Sequence, residues 1–380
     1  MCGFVGVTGV DHAAPIVWLA LQTLQHRGQD AAGIGTTEGA RIHLHKDLGM
    51  VVHAVPAPKL DELVGRSGLG HVRYPTVGGN TREDAQPFMT RRPGILMAHN
   101  GNVTNMPELS GQLARRGMHI MSNCDVEAIL MVLADEVTRI APAGHTTSDL
   151  TEAVGRLMDR VRGAYTVVCL MEVDGKETLV VFRDPSGIRP GVYGRRDDGA
   201  WMACSETVAM DATGFKFEGF IPAGHMLLLR DGEEAISISC RERQHRPCIF
   251  EHIYFARPDS VMEHGRVNDM RQRLGQRLAE EWEARGLGAD VVIPIPDTSR
   301  PAAIAMAEHL GLPYREGFIK NRYSGRTFIM PDALTRDQAL RLKLNPIPRE
   351  IAGKRVLLVD DSIVRGTTLR RVVGLLEAAG

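Results

Sequence analysis

The chain has 380 residues, which at roughly 150 residues per domain points to two domains or slightly more. With 43% hydrophobic and 24% charged residues it has the composition of a globular protein, which excludes disordered, collagenous and fibrous classes. Its 45 Lys and Arg against 46 Asp and Glu leave a net charge of -1, so no overall basic field argues for nucleic acid or an anionic membrane surface, and any anion site must be local.

From the N-terminus, an apolar run over 2–10 reads as a strand, and Ile16, Leu19, Leu21 and Leu24 follow at helical spacing until His26-Arg27-Gly28-Gln29-Asp30 breaks the pattern. Strand-like runs come next at 41–45, 68–72 and 95–98, then helical periodicity at 125–140 and 148–162, then strands again at 165–172, 179–182 and 226–229. Several strands around a central pair of helices predict a layered α+β domain. From about Arg266 the rhythm becomes helix (267–285), strand (290–295), helix (301–310), strand (354–360), helix (367–379), the alternation of a doubly wound parallel sheet. The polar stretch between Asp231 and Pro258 is the expected boundary, placed at 235/236.

Cysteines stand at 2, 124, 169, 204, 240 and 248, without the density of a disulfide scaffold and without C-x-x-C spacing. The first residues lack the basic start and apolar run of a signal peptide, and nowhere do about 18 apolar residues run together. These features predict a reduced, cytoplasmic protein with no membrane span.

Cys2 carries the first chemical signal. Its small side chain permits removal of Met1, and a cysteine with a free α-amino group brings nucleophile and base together, because an α-amine with a reference pKa of about 7.7–8.0 is partly neutral near pH 7. Alone, a cysteine at position 2 reads equally as a small buried hydrophobe at a strand start. Likewise Asn100-Gly101 suits a turn, Arg73 a surface ion pair and Asp125 a helix N-cap. The islands CGFVG (2–6), HRGQDAAG (26–33), GHVRYPT (70–76), AHNGNVTN (98–105) and CDVE (124–127) occur in order, with DAQPF at 84–88. Together they resemble the class II, N-terminal-nucleophile glutamine amidotransferases, and GHVRYPT with DAQPF is similar to the amidophosphoribosyltransferase branch. The resemblance implies a four-layer αββα glutaminase domain over 1–235. It implies that Cys2 attacks the glutamine amide to give a thioester and ammonia, with Asn100 and the Gly101 N–H as oxyanion hole. Arg73 would pair with the glutamine α-carboxylate and Asp125 with its α-ammonium.

In the second half, KRVLLVDDSIVRGTT (354–368) is a buried strand, two acids, a loop with Gly366 and a helix start. Loop and helix-start N–H groups suit a phosphate, and paired carboxylates suit hydroxyls or a hydrated cation. No Gly-Lys-Ser/Thr follows, so this is not a Walker loop. The run resembles the PRPP-binding motif of type I phosphoribosyltransferases. By that resemblance Asp360 and Asp361 hold the ribose hydroxyls and Mg²⁺, while Ser362, Ile363, Val364, Arg365, Gly366, Thr367 and Thr368 take the 5-phosphate. PIPDTS (294–299) reads both as a helix start capped by Ser299 and as part of the Mg²⁺–PRPP site. The basic, glycine-containing stretch 315–331, with Arg315, Lys320, Arg322 and Arg326, reads as a flap over pyrophosphate, with Lys320 and Arg326 as ligands of PRPP. HIYFARPDS (252–260) and Arg271 also match the family, whereas VNDM (267–270) departs from it.

The resemblance implies the reaction glutamine + PRPP + water → 5-phosphoribosylamine + glutamate + pyrophosphate, the committed step of purine synthesis, with ammonia led internally to C1 of PRPP. It implies one Mg²⁺ per subunit with PRPP, purine nucleotides as feedback inhibitors and a homodimer or homotetramer. Some family members hold an iron–sulfur cluster; here Cys248 alone stands at a ligand position, Cys240 does not match one, and the cluster is unsupported. Family members continue for roughly a hundred residues past the PRPP loop, so the phosphoribosyltransferase domain (236–380) is expected to be incomplete at its C-terminus. Two rivals follow: a truncated homologue with glutaminase activity only, and a module that binds PRPP or nucleotides and regulates.

Overall fold

A computed structural model describes residues 2–75, 79, 81–321, 344–363 and 366–380, with backbone alone for Thr367 and Thr368. The chain divides into two compact units, Met1–Ile249 with Ser260–Glu263, and Phe250–Asp259 with His264–Gly380.

The first unit is built on two antiparallel sheets. One has seven strands in the order β11-β9-β10-β1-β4-β2-β3, where β1 is Gly3–Thr8, β2 Ala31–Glu38, β3 Arg41–Leu48, β4 Ser67–Arg73, β9 Val192–Arg195, β10 Trp201–Cys204 and β11 Lys216–Phe220. The other has six in the order β13-β12-β8-β7-β6-β5, with β5 Phe88–Arg91, β6 Gly94–Val103, β7 Gly163–Val173, β8 Lys176–Arg183, β12 His225–Leu229 and β13 Ile236–Ser239. The facing sides interdigitate through Phe4, Leu69, Leu96, Val168 and Leu179. The outer side of the first sheet is covered by helix α1 (Ala13–Thr23), whose Val17 and Leu21 meet Val5 and Val72. The outer side of the second is covered by Asp125–Ile140 and Thr147–Arg160, through Ile129, Leu133 and Leu157 against Ile95 and Val167. This is the predicted αββα stack. The Thr147–Arg160 helix opens on a capping box, Thr146 receiving the Asp149 N–H while the Asp149 carboxylate accepts from Thr146.

Periodicity placed the long, strongly buried elements within a few residues. It missed β2, whose AAGIGTT run is apolar but glycine-rich, and the short strands β5, β9, β10 and β11. Those strands gain their pairing from distant neighbours and show too little alternation to be read locally.

In the second unit, strands Val291–Pro294 and Val356–Val359 pair in parallel with Pro294 opposite Val359. Ala279, Ala303 and Met306 from helices Val267–Ala284 and Arg300–Leu310 cover one face, and Val372 from helix Thr367–Glu377 covers the other. The alternation read from the sequence therefore folds as helix, parallel sheet, helix. No helix among the described residues is long and apolar enough to cross a membrane.

Candidate active site

β1 lies at the middle of its sheet, paired with β10 and β4, and all six of its residues are buried. Cys2 precedes it, one step beyond the Gly3–Val72 pair, so the end of β4 falls beside its thiol. The Tyr74 N–H approaches the Cys2 Sγ at 3.4 Å. Burial pushes the thiol pKa up, against the opposing effects of the Tyr74 N–H and Arg73, so at neutral pH this group is a thiol in need of a base.

From the other sheet, β6 brings Asn100 and Gly101 to the same point. The Cys2 N–H donates to Asn100 Oδ1 at 3.2 Å. This leaves the Asn100 Nδ2 buried with no protein acceptor, on a side chain only 1% exposed. A buried NH₂ without a partner is uncommon in a folded core and marks a donor held for something else. Gly101 cannot be replaced without displacement, since a Cβ there would lie 2.4 Å from the Ala164 carbonyl oxygen of β7.

Asp125 opens the helix Asp125–Ile140 next to Cys124, the N-cap residue, rather than serving as the cap itself. Its Oδ2 accepts the Val103 N–H at 2.8 Å, and its Oδ1 lies 3.4 Å from His99 Nε2. Burial opposes ionisation of this carboxyl, but the His99 ring and the Val103 N–H outweigh it and hold the pKa below the ordinary value. Arg73, at the end of β4, is buried and donates to the Gly79 carbonyl at 2.7 Å. Asp84 accepts from Gly79 N and Asn123 N, both at 2.9 Å, tying the DAQPF segment to the loop after β4 and to the start of the Asp125 helix.

Behind the thiol is an arrangement that sequence reading missed. Arg27 Nε donates to the Cys2 carbonyl at 2.9 Å, and Arg27 Nη1 meets Glu206 Oε1 at 2.5 Å with both side chains fully buried. His26 Nε2 is 2.8 Å from the same Glu206 oxygen, and Ser260 donates to the other at 2.6 Å. Burial works against the Glu206 carboxylate, but Arg27, His26 and Ser260 overcome it and lower its pKa strongly. HRG was visible in the sequence, but its partner lies 179 residues away and in no motif. Gly28 is required because a Cβ would fall 2.5 Å from the Arg73 backbone.

In the second unit the carboxyl ends of the parallel strands lie side by side, the crevice where open α/β sheets bind ligands. Thr298 donates to Asp361 Oδ2, and Ser362 Oγ donates to Asp361 Oδ1 at 2.6 Å. The Asp361 N–H donates to Asp360 Oδ1 at 2.9 Å. Burial, with the neighbouring Asp361 charge, raises the Asp360 carboxyl pKa. Thr298, Asp360 and Asp361 border a cavity of about 270 Å³, together with Arg271 and Leu274. Ser299 also lines it, but its hydroxyl is turned back to the Ile295 carbonyl at 2.5 Å and does not cap the helix, contrary to the expected capping. Lys320 Nζ pairs with Asp297 Oδ2 at 3.1 Å, which brings it to the 294–299 loop. Ile363 is 70% exposed, and Gly366 has φ +70°, a left-handed conformation that permits the turn into helix Thr367–Glu377. Arg271 is buried and donates to the carbonyls of His252 and Ala256, both at 2.8 Å. Met1, Arg322, Arg326, Val364 and Arg365 lie outside the described residues, as do the side chains of Thr367 and Thr368.

Mg²⁺ and an iron–sulfur cluster are tested by the donors present. Adjacent carboxylates, one with its pKa raised by burial and by its neighbour's charge, fit a hydrated cation that arrives with a phosphorylated ligand. The cluster does not fit among the described residues: Cys248 Sγ lies 3.9 Å from Arg189 Nη1, and no group of three or more His, Cys, Asp or Glu side chains could hold a metal.

An αββα domain with a cysteine at the head of a central strand, joined to a parallel-sheet domain with an acidic pair and phosphate-type loop, defines a glutamine amidotransferase coupled to a phosphoribosyltransferase. Residues 71–212 match the glutamine amidotransferase domain model and residues 268–380 the phosphoribosyl transferase domain model. The chain is 43% identical to an amidophosphoribosyltransferase of Pseudomonas aeruginosa and 42% identical to one of Escherichia coli K12, in each case over all of this chain and 77% of the relative. Two solved structures cover the whole chain. One is an allosteric regulatory enzyme of purine biosynthesis (TM-score 0.88, 38% identity, 78% of that chain covered), and the other is the glutamine PRPP amidotransferase from B. subtilis complexed with ADP and GMP (0.87, 37%, 79%). The chain belongs to the amidophosphoribosyltransferase family.

Proposed function

We propose that the chain transfers the amide nitrogen of glutamine to C1 of PRPP, giving 5-phosphoribosylamine, glutamate and pyrophosphate, as the first committed step of purine synthesis. Glutaminase chemistry is assigned to residues 1–235 and phosphoribosyl chemistry to residues 236–380.

The observation that carries the first half is the unpartnered Asn100 Nδ2 beside Cys2. With Met1 removed, the Cys2 α-amine takes the thiol proton while Asn100 Oδ1 holds that amine in place, and Sγ attacks the glutamine carboxamide carbon. The oxyanion that forms is received by Asn100 Nδ2–H and the Gly101 N–H. Return of the proton expels ammonia and leaves a γ-glutamyl thioester, which water hydrolyses to glutamate. Arg73 binds the glutamine α-carboxylate and Asp125 its α-ammonium, with one Asp125 oxygen held by the Val103 N–H. Arg27, itself paired with Glu206, holds the Cys2 carbonyl and so fixes the strand end that carries the nucleophile.

In the second half Asp360 and Asp361 bind the ribose hydroxyls, the backbone of 362–368 binds the 5-phosphate, and Lys320 with Arg326 binds pyrophosphate. Asp360 and Asp361, with Ser299, would hold a Mg²⁺ that arrives with PRPP, and that ion would supply charge neutralisation for pyrophosphate. Purine nucleotides as feedback ligands are supported by the B. subtilis relative, which was solved in complex with ADP and GMP. A homo-oligomeric, cytoplasmic enzyme rests on the family resemblance.

The test measures glutamate release and PRPP-dependent pyrophosphate release on the purified chain, with mass spectrometry of its N-terminus. Both activities, with Met1 absent, are expected; glutamate release without pyrophosphate favours the glutaminase-only reading. Retained glutaminase activity in Cys2→Ala overturns the nucleophile assignment.

A further inference from the structure

In the glutamine site Gln86 makes two hydrogen bonds to His99, and together they fix the direction of each. The His99 backbone N–H is an obligate donor, and it is met by Gln86 Oε1 at 2.8 Å. The other end of the same carboxamide, which can only donate, therefore faces the His99 ring, with Gln86 Nε2 3.1 Å from His99 Nδ1. Nδ1 must accept, so the ring proton sits on Nε2. That Nε2 lies 3.4 Å from Asp125 Oδ1 and has no closer protein partner. Gln86 Nε2 holds the ring at Nδ1, and His71 Nε2 lies 3.1 Å from the His99 carbonyl on β6. Gln86, His71, His99 and Asp125 are all buried, as is Cys124, whose Sγ lies 3.7 Å from Gln86 Nε2.

We propose that Gln86 is a positioning residue for glutamine binding: by donating to His99 Nδ1 it holds His99 as the neutral Nε2–H tautomer, which orients Asp125 without cancelling its charge. This rests on the reading of Asp125 as the partner of the substrate α-ammonium. An imidazolium at position 99 would pair with Asp125 and compete with that ammonium. The carboxamide excludes it, because a second proton on Nδ1 would confront the Gln86 NH₂. Val103 N–H holds the other oxygen of Asp125, so His99 sets the direction in which the remaining lone pairs point.

The test is Gln86→Glu in the full chain. This change keeps the shape and the acceptor for His99 N–H, but turns the group facing Nδ1 from donor to acceptor and favours a doubly protonated ring. The expected result is a KM for glutamine raised about tenfold or more, with kcat for glutamate release within about twofold, as loss of one charge-assisted contact predicts. A merely structural role would lower both thermal stability and kcat and would leave the ring tautomer unchanged. Nitrogen-15 NMR of the histidine rings reads that tautomer directly: neutral Nε2–H in the parent chain, imidazolium in the variant. A neutral Nδ1–H ring in the parent, or an unchanged KM in a folded Gln86→Glu chain with imidazolium at 99, overturns the proposal. Asp125→Asn separates the two readings. A raised KM there with an unmoved KM in Gln86→Glu rejects the role of Gln86 alone, whereas an unmoved KM in Asp125→Asn rejects the ammonium role beneath it. Should Gln86→Glu fail to fold, the nitrogen-15 spectrum of the parent chain decides: a neutral Nε2–H ring at 99 supports the proposal, and an imidazolium or a neutral Nδ1–H ring there overturns it.

Discussion

The two units solve the problem of binding an anionic or zwitterionic ligand in opposite ways. In the first, Cys2, Arg73, Asn100 and Asp125 stand before β1, on β4, on β6 and at a helix start, all are nearly inaccessible, and Cys2 and Asp125 bond to residues distant in sequence. In the second, Asp360, Asp361 and Ser362 are contiguous in sequence, lie at the strand ends, and bond to one another and to Thr298. A nucleophile that must attack one carbon atom needs a rigid, water-poor setting assembled from distant residues. A phosphate can be held by successive N–H groups of one loop, and a phosphorylated ligand brings charge and cations of its own. Long-range assembly thus concentrates where covalent chemistry is proposed, and local motif where ion binding is proposed.

The sharpest way to break this contrast is Cys2→Ala. Glutamine-dependent activity is expected to fall about 10³-fold or more, while ammonia-dependent pyrophosphate release persists. Loss of both in a folded protein would mean that the halves are not separable. Asn100→Ala is expected to lower kcat for glutamate release about 10²- to 10³-fold with little change in KM, as removal of an oxyanion donor does; a pure KM effect would move Asn100 from the oxyanion to substrate binding. Glu206→Gln should destabilise the first unit by about 3–5 kcal/mol, because it removes the buried carboxylate that neutralises Arg27, readable as a lowered denaturant midpoint. Asp361→Asn should raise the KM for PRPP about tenfold, since a more open, ligand-completed site tolerates loss of one carboxylate better.

The smallest expected effect is with pH. The Glu206 carboxyl is held below its ordinary value by Arg27, His26 and Ser260, against burial. Its stabilisation is therefore fully present above the unfolded carboxyl pKa, about 4.3, and is lost as pH falls below it. Denaturation midpoints between pH 7 and pH 3.5 should fall further in the parent than in Glu206→Gln; identical profiles would remove Glu206 from the account.

The legibility of the molecule follows the same division. The acidic pair and Gly366 stand out in the sequence because they are adjacent in one run, whereas Cys2 and Asn100-Gly101 enter through the resemblance of their islands and are brought together by a hydrogen bond in the fold. The roles of Arg27 and Glu206 were not, since nothing near Glu206 announces a partner 179 residues earlier. Gln86 was visible within DAQPF, but its effect on His99 depends on which end of the carboxamide meets a backbone N–H, which no spacing encodes. Strands β9 to β11 were missed because short segments gain β structure only from their neighbours.

The sequence by itself determined the two kinds of domain, the long buried elements and the residue types able to do the chemistry, because hydrophobic period and contiguous motifs are local properties of the chain. Only the tertiary structure decided that the Cys2 amide occupies one end of the Asn100 carboxamide and leaves the other free, that Arg27 and Glu206 anchor the strand end behind the thiol, and that Gln86 sets the proton on His99. Those outcomes depend on the register between strands far apart in the chain and on the exclusion of water, which removes every alternative partner from a buried polar group.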